Sequence, residues 1–214
     1  VYIPATNAEH RPEVMFDFIE AHPLGALVTR STEGLFATHL PLLLDRSRGE
    51  HGALEGHVAR ANPQQAFPIG EMEALVIFSG SDAYISPSFY PSKAQHGKVV
   101  PTWNYVAVHA YGRVRYTSDP VFLHDHVSRL TAHHEAHRVT PWSVEDAPAG
   151  YVDQMLRAIV GVEIAITRLE GKWKMSQNRP AEDIDGVVAG LLTSSDARLK
   201  DVASVVQARR PEVR

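Results

Sequence analysis

Hydrophobic and polar positions alternate most regularly between Lys98 and Arg115, in the run KVVPTWNYVAVHAYGRVR. Counting by twos, Thr102, Asn104, Val106, Val108, Ala110, Gly112 and Val114 share one face, most of it small and apolar. Trp103, Tyr105, Ala107, His109, Tyr111, Arg113 and Arg115 share the other. A period of two is the mark of a half-buried strand. A solvated face normally carries Lys, Glu and Thr, so an aromatic and basic face is expected to meet a flat ligand or another subunit.

The same reading along the rest of the chain predicts a helix over 12–21, stopped at His22-Pro23. Strands are predicted over 25–30, 35–44 and 54–60, separated by turns at Ser31-Thr32-Glu33-Gly34 and over 45–52. A short helix is expected from Asn62-Pro63 to Phe67. Two further strands, 74–79 and 83–86, are expected to hinge at Ser79-Gly80-Ser81-Asp82, and 86–97 reads as loop. After the long strand come helices over 120–137 and 149–160. A strand over 161–169 follows, resumed at 172–175 beyond a Glu170-Gly171 turn. The tail reads as two helices broken at Thr193-Ser194-Ser195, with Ser195 as the cap of the second. Many short strands joined by turns, with helices at the edge, predict a mainly β fold with peripheral helices, a closed antiparallel barrel. The absence of GxGxxG and GxxxxGK removes the Rossmann and P-loop readings.

Composition narrows this picture. With 214 residues and 44% hydrophobic side chains, the chain can bury a substantial core. A net charge of −4 speaks against a dedicated nucleic-acid surface. The chain has no cysteine, which removes disulfides, thiol catalysis and thiolate metal sites. No apolar run approaches the ~20 residues of a membrane span and no signal-peptide pattern opens the chain, so a soluble cytoplasmic protein is expected.

Candidate chemistry gathers around the strands. Thr38 and His39 interrupt a Leu-rich run, while His57 and Arg60 end the next strand just before Asn62. Lys98, Thr102, Trp103, Asn104 and Tyr105 follow. Cations, hydroxyls and a helix start suit a phosphate, and aromatic walls suit a flat conjugated ring. The string Lys172-Trp173-Lys174-Met175-Ser176-Gln177-Asn178-Arg179 reads either as a solvated turn or as an arm reaching a ligand's edge. His133 and His137 are spaced i, i+4, but a zinc site needs a third ligand, so His124, His126, His133, His134 and His137 read as a polar helix face. No GxSxG elbow supports a nucleophilic triad, and no carboxylate pair is placed by spacing.

These pieces resemble the PaiB-type negative transcriptional regulators, a branch of the FMN-binding split-barrel superfamily that includes the pyridoxamine-phosphate oxidases. The resemblance runs through HPLG at 22–25, ATHLPLLLD at 37–45, GHVARANP at 56–63, YISPSFY at 84–90, VPTWNY at 100–105, AIVGVEI at 158–164 and KWKMSQNR at 172–179. It covers most of the chain to about Gly190. PTWNY and the KWKMSQNR string are its specific parts. It implies a bacterial, dimeric split β-barrel over 1–179 with a helical tail over 180–214, and a homodimer with FMN at the subunit interface. The implied cofactor contacts are Thr38, His39, His57, Arg60, Asn62, Lys98, Thr102, Trp103, Asn104 and Tyr105, with Ser176, Gln177 and Asn178 approaching from the other subunit. The phosphate end is implied near Thr38, His57, Arg60 and Lys98. It implies repression of transcription as function, with an FMN-dependent oxidoreductase or a haem-binding relative as the alternative. DNA as a partner has no support from charge or motif.

Overall fold

The computed structural model describes residues 1–32, 34–67, 73–148 and 150–211. Glu33 of the predicted turn and Ala149 at the start of a predicted helix lie outside the described residues. In chain order the elements are β1 (Ala8–Glu9), α1 (Pro12–Ala21), β2 (Leu24–Ser31), β3 (Gly34–Pro41), β4 (Leu43–Asp45), β5 (Ala53–Ala59) and β6 (Ala74–Ile85). Then come α2 (Ser92–His96), β7 (Thr102–Thr117), α3 (Pro120–Glu135), α4 (Tyr151–Leu156), β8 (Ile159–Lys174), α5 (Ala181–Leu192) and α6 (Ala197–Ala208). The sheet order is β3-β2-β6-β7-β8-β5-β4, with β1 paired to β8. The pairings of β2 with β3 and β6, of β5 with β4 and β8, and of β1 with β8 are antiparallel. The fold is thus mainly β and antiparallel with helices, and the strand path among the described residues stays open between β3 and β4.

The chain divides into two compact units. One gathers Val1–Phe18, Ser79–Val108 and Glu170–Arg214, and the other Ile19–Phe78 and His109–Leu169. In the first, Ile85, Met175, Val187 and Leu191 are fully buried core. Its α5 carries a buried Asp183 whose carboxylate accepts from the Ser92 backbone N–H at 3.1 Å and from Ser92 Oγ at 2.7 Å. That anchor explains why the segment read as loop contains α2. In the second unit, Leu27, Leu54, Val76, Phe78 and Ile164 form the core.

Four sequence expectations change for physical reasons. Segment 74–85 is one strand, yet its buried positions shift parity, from Ala74, Val76 and Phe78 to Ala83 and Ile85. The Ser79–Asp82 stretch absorbs that shift where the chain passes between the units, so a change of buried face looks like a hinge in the sequence. Glu170-Gly171 is likewise strand, not turn. A Cβ at Gly171 would stand 2.9 Å from Met15 Sδ, so the glycine serves the close approach of α1. The tail breaks where expected, but Asp196 rather than Ser195 caps α6, its carboxylate accepting from the Arg198 N–H at 3.0 Å. The helix expected over 149–160 is confined to α4, because β-branched Ile159, Val160 and Val162 join the β5–β8 ladder.

Candidate functional site

In the first unit, the candidate residues of β7 and of the string after β8 meet. Asn104 is fully buried and exchanges two hydrogen bonds with Ser176, Nδ2 donating at 3.0 Å and the hydroxyl donating back to Oδ1 at 3.2 Å. Ser176 itself takes a left-handed conformation with φ of 64°. A serine at that dihedral costs about 1 kcal/mol or more, and such strain collects where a loop must aim a side chain. Gln177 folds back on β8, accepting from the Met175 N–H at 2.6 Å and donating to the Trp173 carbonyl at 2.5 Å. Asn178 is exposed.

Beside this anchor lies an aromatic surface. Trp103 is 54% exposed and Tyr84 50%, with their rings edge to face at 6.0 Å. Lys174 Nζ donates to Thr102 Oγ1 at 2.5 Å and to the Trp103 carbonyl. Burial, then the charges of Lys172 and Arg179, hold the Lys174 amine below the usual lysine range. Tyr105 is half-buried under Lys172, whose Nζ stands 5.1 Å from the ring centroid. Lys98 is exposed, and only its backbone N–H is bonded, to His96 Nδ1 at 3.0 Å.

In the second unit, Asn62 donates to Thr38 Oγ1 at 2.9 Å and caps the short 3-10 turn at Pro63–Ala66. His39 is exposed on β3. Arg60 spends three N–H donors, on the Arg157 carbonyl at 2.6 Å, the Ile159 carbonyl at 2.8 Å and Ser118 Oγ at 3.2 Å. His57 turns Nδ1 to Nε2 of His126 at 3.1 Å. His126 is 0% exposed, against the expectation that this residue belongs to a polar helix face. Burial first, then the charges of His57 and Arg129, lower its pKa to about 4, and burial lowers His57 as well.

The sequence also gave no carboxylate pair, and the fold makes one. Glu55 of β5 and Glu163 of β8 are direct cross-strand partners, 5% and 7% exposed. Arg48 bridges them, at 2.5 Å to Glu55 and 2.9 Å to Glu163. Arg129 adds a bond to Glu55 at 2.5 Å, and Arg115 adds one to Glu163. An acid in the middle of an apolar strand run was the available signal, but spacing along the chain cannot register two strands 108 residues apart.

A family described as "Putative FMN-binding domain" matches residues 1–168. The chain belongs to this family. FMN is the family's cofactor. The relatives of this FMN-binding chain span kingdoms. Uncharacterized protein AN0679 of Emericella nidulans is 35% identical, with 98% of this chain and 97% of the relative covered. Protease synthase and sporulation protein PAI 2 of Bacillus subtilis is 31% identical over 96% of this chain and 94% of that protein. The kinship is therefore fungal as well as bacterial. Among solved structures, the FAD and heme binding protein of Mycobacterium smegmatis superposes with a TM-score of 0.55 at 14% identity, covering 86% of this chain and 80% of that one. The flavocytochrome Anf3 of Azotobacter vinelandii gives 0.54 at 14%, covering 78% and 68%. These two likenesses establish the shared fold. No helix among the described residues is long and apolar enough to cross a membrane.

Proposed function

We propose that the chain binds FMN as a homodimer of split barrels, with the flavin in the subunit interface, and acts as a PaiB-like negative regulator of transcription. The observation that carries this reading is the start of β7. There an exposed Trp103–Tyr84 pair stands beside an amine, Lys174, pinned by Thr102 and the Trp103 carbonyl. A flat ring system wants such an aromatic wall with a few fixed donors. As phosphate donors, taken unit by unit, the second unit has the Thr38 hydroxyl and the two guanidinium N–H groups that Arg60 has not spent, and the first has the exposed Lys98. Each of these donor types suits the phosphate of FMN. Of the Ser176, Gln177 and Asn178 arm, the exposed Asn178 would reach the ring from the partner, while Ser176 and Gln177 fix the arm on Asn104 and β8 of their own protomer. When bound, FMN supplies hydride chemistry; the chain's part is to hold and orient it.

Two further observations support the larger assembly. A Cβ at Gly56 of β5 would stand 3.0 Å from Leu40 Cδ1 of β3 and from the Pro41 carbonyl, the close inner approach a barrel requires. Leu24, Leu35, Val100 and Trp103 are exposed apolar side chains that a second subunit would cover. The regulatory output works through the flavin state and a protein partner rather than through the basic tail. Arg198 pairs with Asp196, Arg209 with Glu9, and Arg210 with Asp185, so each of these tail cations already has a carboxylate partner.

The test is the visible spectrum of the purified chain titrated with FMN. Uptake of flavin is expected, and Arg60→Ala combined with Lys98→Ala should weaken retention at least tenfold. Unchanged affinity in that variant would overturn the phosphate placement. Bleaching of the bound flavin by NAD(P)H would replace the regulator with the oxidoreductase, and a Soret band on adding haem would replace FMN as the ligand of this site.

A further inference from the structure

We infer that the second unit holds a separate small-molecule site, a pocket of about 230 Å3 that takes a neutral one- or two-ring molecule through a carbonyl oxygen bonded to His57. The pocket lies between α3 and α4, and Val127, Val144, Val152 and Leu156 are among its apolar walls. Trp142, Tyr151 and Met155 are also in its lining, yet remain 49%, 52% and 41% exposed. Large apolar side chains left in water around a concavity mark a binding mouth more often than a packing fault. The volume exceeds the ~150 Å3 of an apolar cavity that holds benzene and falls short of the ~300 Å3 at which drug-sized pockets begin. That range suits one or two rings.

Charge narrows the ligand further. Among the described residues, no Lys, Arg, Asp or Glu lines the pocket. A carboxylate or phosphate placed there would lose its water and gain no counter-ion. The lining's hydrogen-bonding side chains are His57 and Thr131, with the half-exposed Trp142 and Tyr151. His57 has one defined state to offer. Nδ1 of His126 is buried without a hydrogen-bond partner. A proton there would bury an unmet donor, so neutral His126 keeps its proton on Nε2 and donates to His57 Nδ1. The His57 proton then sits on Nε2, the nitrogen not turned to His126, and awaits an acceptor. A neutral carbonyl supplies it.

The pair is also held in place. The His126 ring stacks on Phe122, centroids 6.1 Å apart and 8° from parallel. Gly161 stands opposite His57 in the β5–β8 ladder, and a Cβ there would come within 2.5 Å of Phe122 Cε1. The glycine leaves room for the phenyl ring that fixes His126. A donor set this way needs no rearrangement on binding.

The probes are acetophenone, ethylbenzene and benzoate, added to the full chain. Binding is read by saturation-transfer NMR and by the imidazole 15N signals. Acetophenone should bind at least tenfold tighter than ethylbenzene and shift the His57 nitrogens, while benzoate should not bind. His57→Phe should bring acetophenone down to the ethylbenzene level. Val152→Trp fills the pocket while leaving both histidines in the sequence, and should abolish binding of acetophenone and ethylbenzene. Saturating FMN should leave the acetophenone affinity within twofold, and this arm reads the same if FMN fails to bind at all. Four results would overturn the inference: no acetophenone binding, no preference over ethylbenzene, binding that survives Val152→Trp, or displacement by FMN, which would make the pocket part of the flavin site.

Discussion

Glu55 and His57 sit two residues apart on β5, on one face of the same two-strand ladder, and their neighbourhoods could hardly differ more. Opposite Glu55 stands Glu163, and opposite His57 stands Gly161. The helix α3 supplies Arg129 to the first pair and His126 to the second, three residues apart and so on one helical face. At the carboxylates every charge is answered: Arg48 binds both, Arg129 and Arg115 one each. At the histidines the bonding runs out, because Nδ1 of His126 is buried without a partner. A saturated cluster holds strands in register. A cluster with an unmet buried nitrogen, whose other member lines a pocket, is left with a group to offer a ligand. The sheet has placed a structural device and a chemical one side by side, and the count of satisfied bonds tells them apart.

The largest effect should come from breaking the saturated side. Arg48→Met leaves Glu55 and Glu163 facing each other with one arginine apiece and no shared partner. Removing one member of a buried ionic cluster costs about 3–5 kcal/mol, and the half-exposed Arg48 places this case at the low end. Urea unfolding should show the midpoint fall with the slope unchanged. Arg198→Met, which breaks only the exposed pair with Asp196, is the control and should cost under about 0.5 kcal/mol. A loss at Arg48 no larger than the control's would mean that the carboxylates are held apart by something other than charge.

Acid tests the histidine side next. In the folded chain the His126 pKa is about 4 against an ordinary 6.5, with burial as the main cause. As pH falls below 6.5 the unfolded chain binds a proton that the folded chain refuses. Stability is therefore complete above about pH 6.5 and declines until about pH 4, by about 3 kcal/mol for this one group. His57, lowered by the same cause, acts in the same direction. Glu9 belongs to a lower window. Hydrogen bonds from Arg11 hold its carboxyl near 2 against an ordinary 4.5, so its contribution is present above 4.5 and fades toward 2. Unfolding measured between pH 7 and pH 5 should thus lose stability mainly through the histidine pair. A flat profile across that range would show the pair to be solvated.

How much of this was legible in the sequence depends on whether the signal is local. The alternation on β7 is local, and Asn104, Val106, Val108, Ala110 and Gly112 are the buried face it predicts. The helix at Pro12–Ala21 and the break between α5 and α6 carry their own punctuation and stand where it puts them. Asn104 and Ser176, both candidates by residue type, do meet. The Glu55–Glu163 pair and the His57–His126 pair were not legible, because each depends on register between distant elements. His126 left one trace. Leu123, His126, Val127 and Leu130 have the spacing of a buried helical stripe, and the exposed His124, His133, His134 and His137 around it drowned that signal.

The smallest effect is the one that sharpens the contrast most. His126→Phe keeps a ring beside Phe122 and removes the buried nitrogens. His57 Nδ1 loses its donor, and the unpartnered Nδ1 of His126 goes with the ring. Removing the unpartnered buried nitrogen of His126 offsets the bond that His57 loses, so the expected change at pH 7.5 is about 1 kcal/mol or less, in either direction. The acid-dependent loss between pH 6.5 and pH 4 should shrink in the same variant, since the group that refuses the proton is gone. Set beside Arg48→Met, this gives the comparison its test: the saturated cluster is costly to break and the open one cheap to remove. A residue that adds little stability at neutral pH and costs stability in acid is kept for what it does to His57. If His126→Phe instead cost as much as Arg48→Met, the pair would be a second structural clasp, and His57 would have no special claim on the pocket it lines.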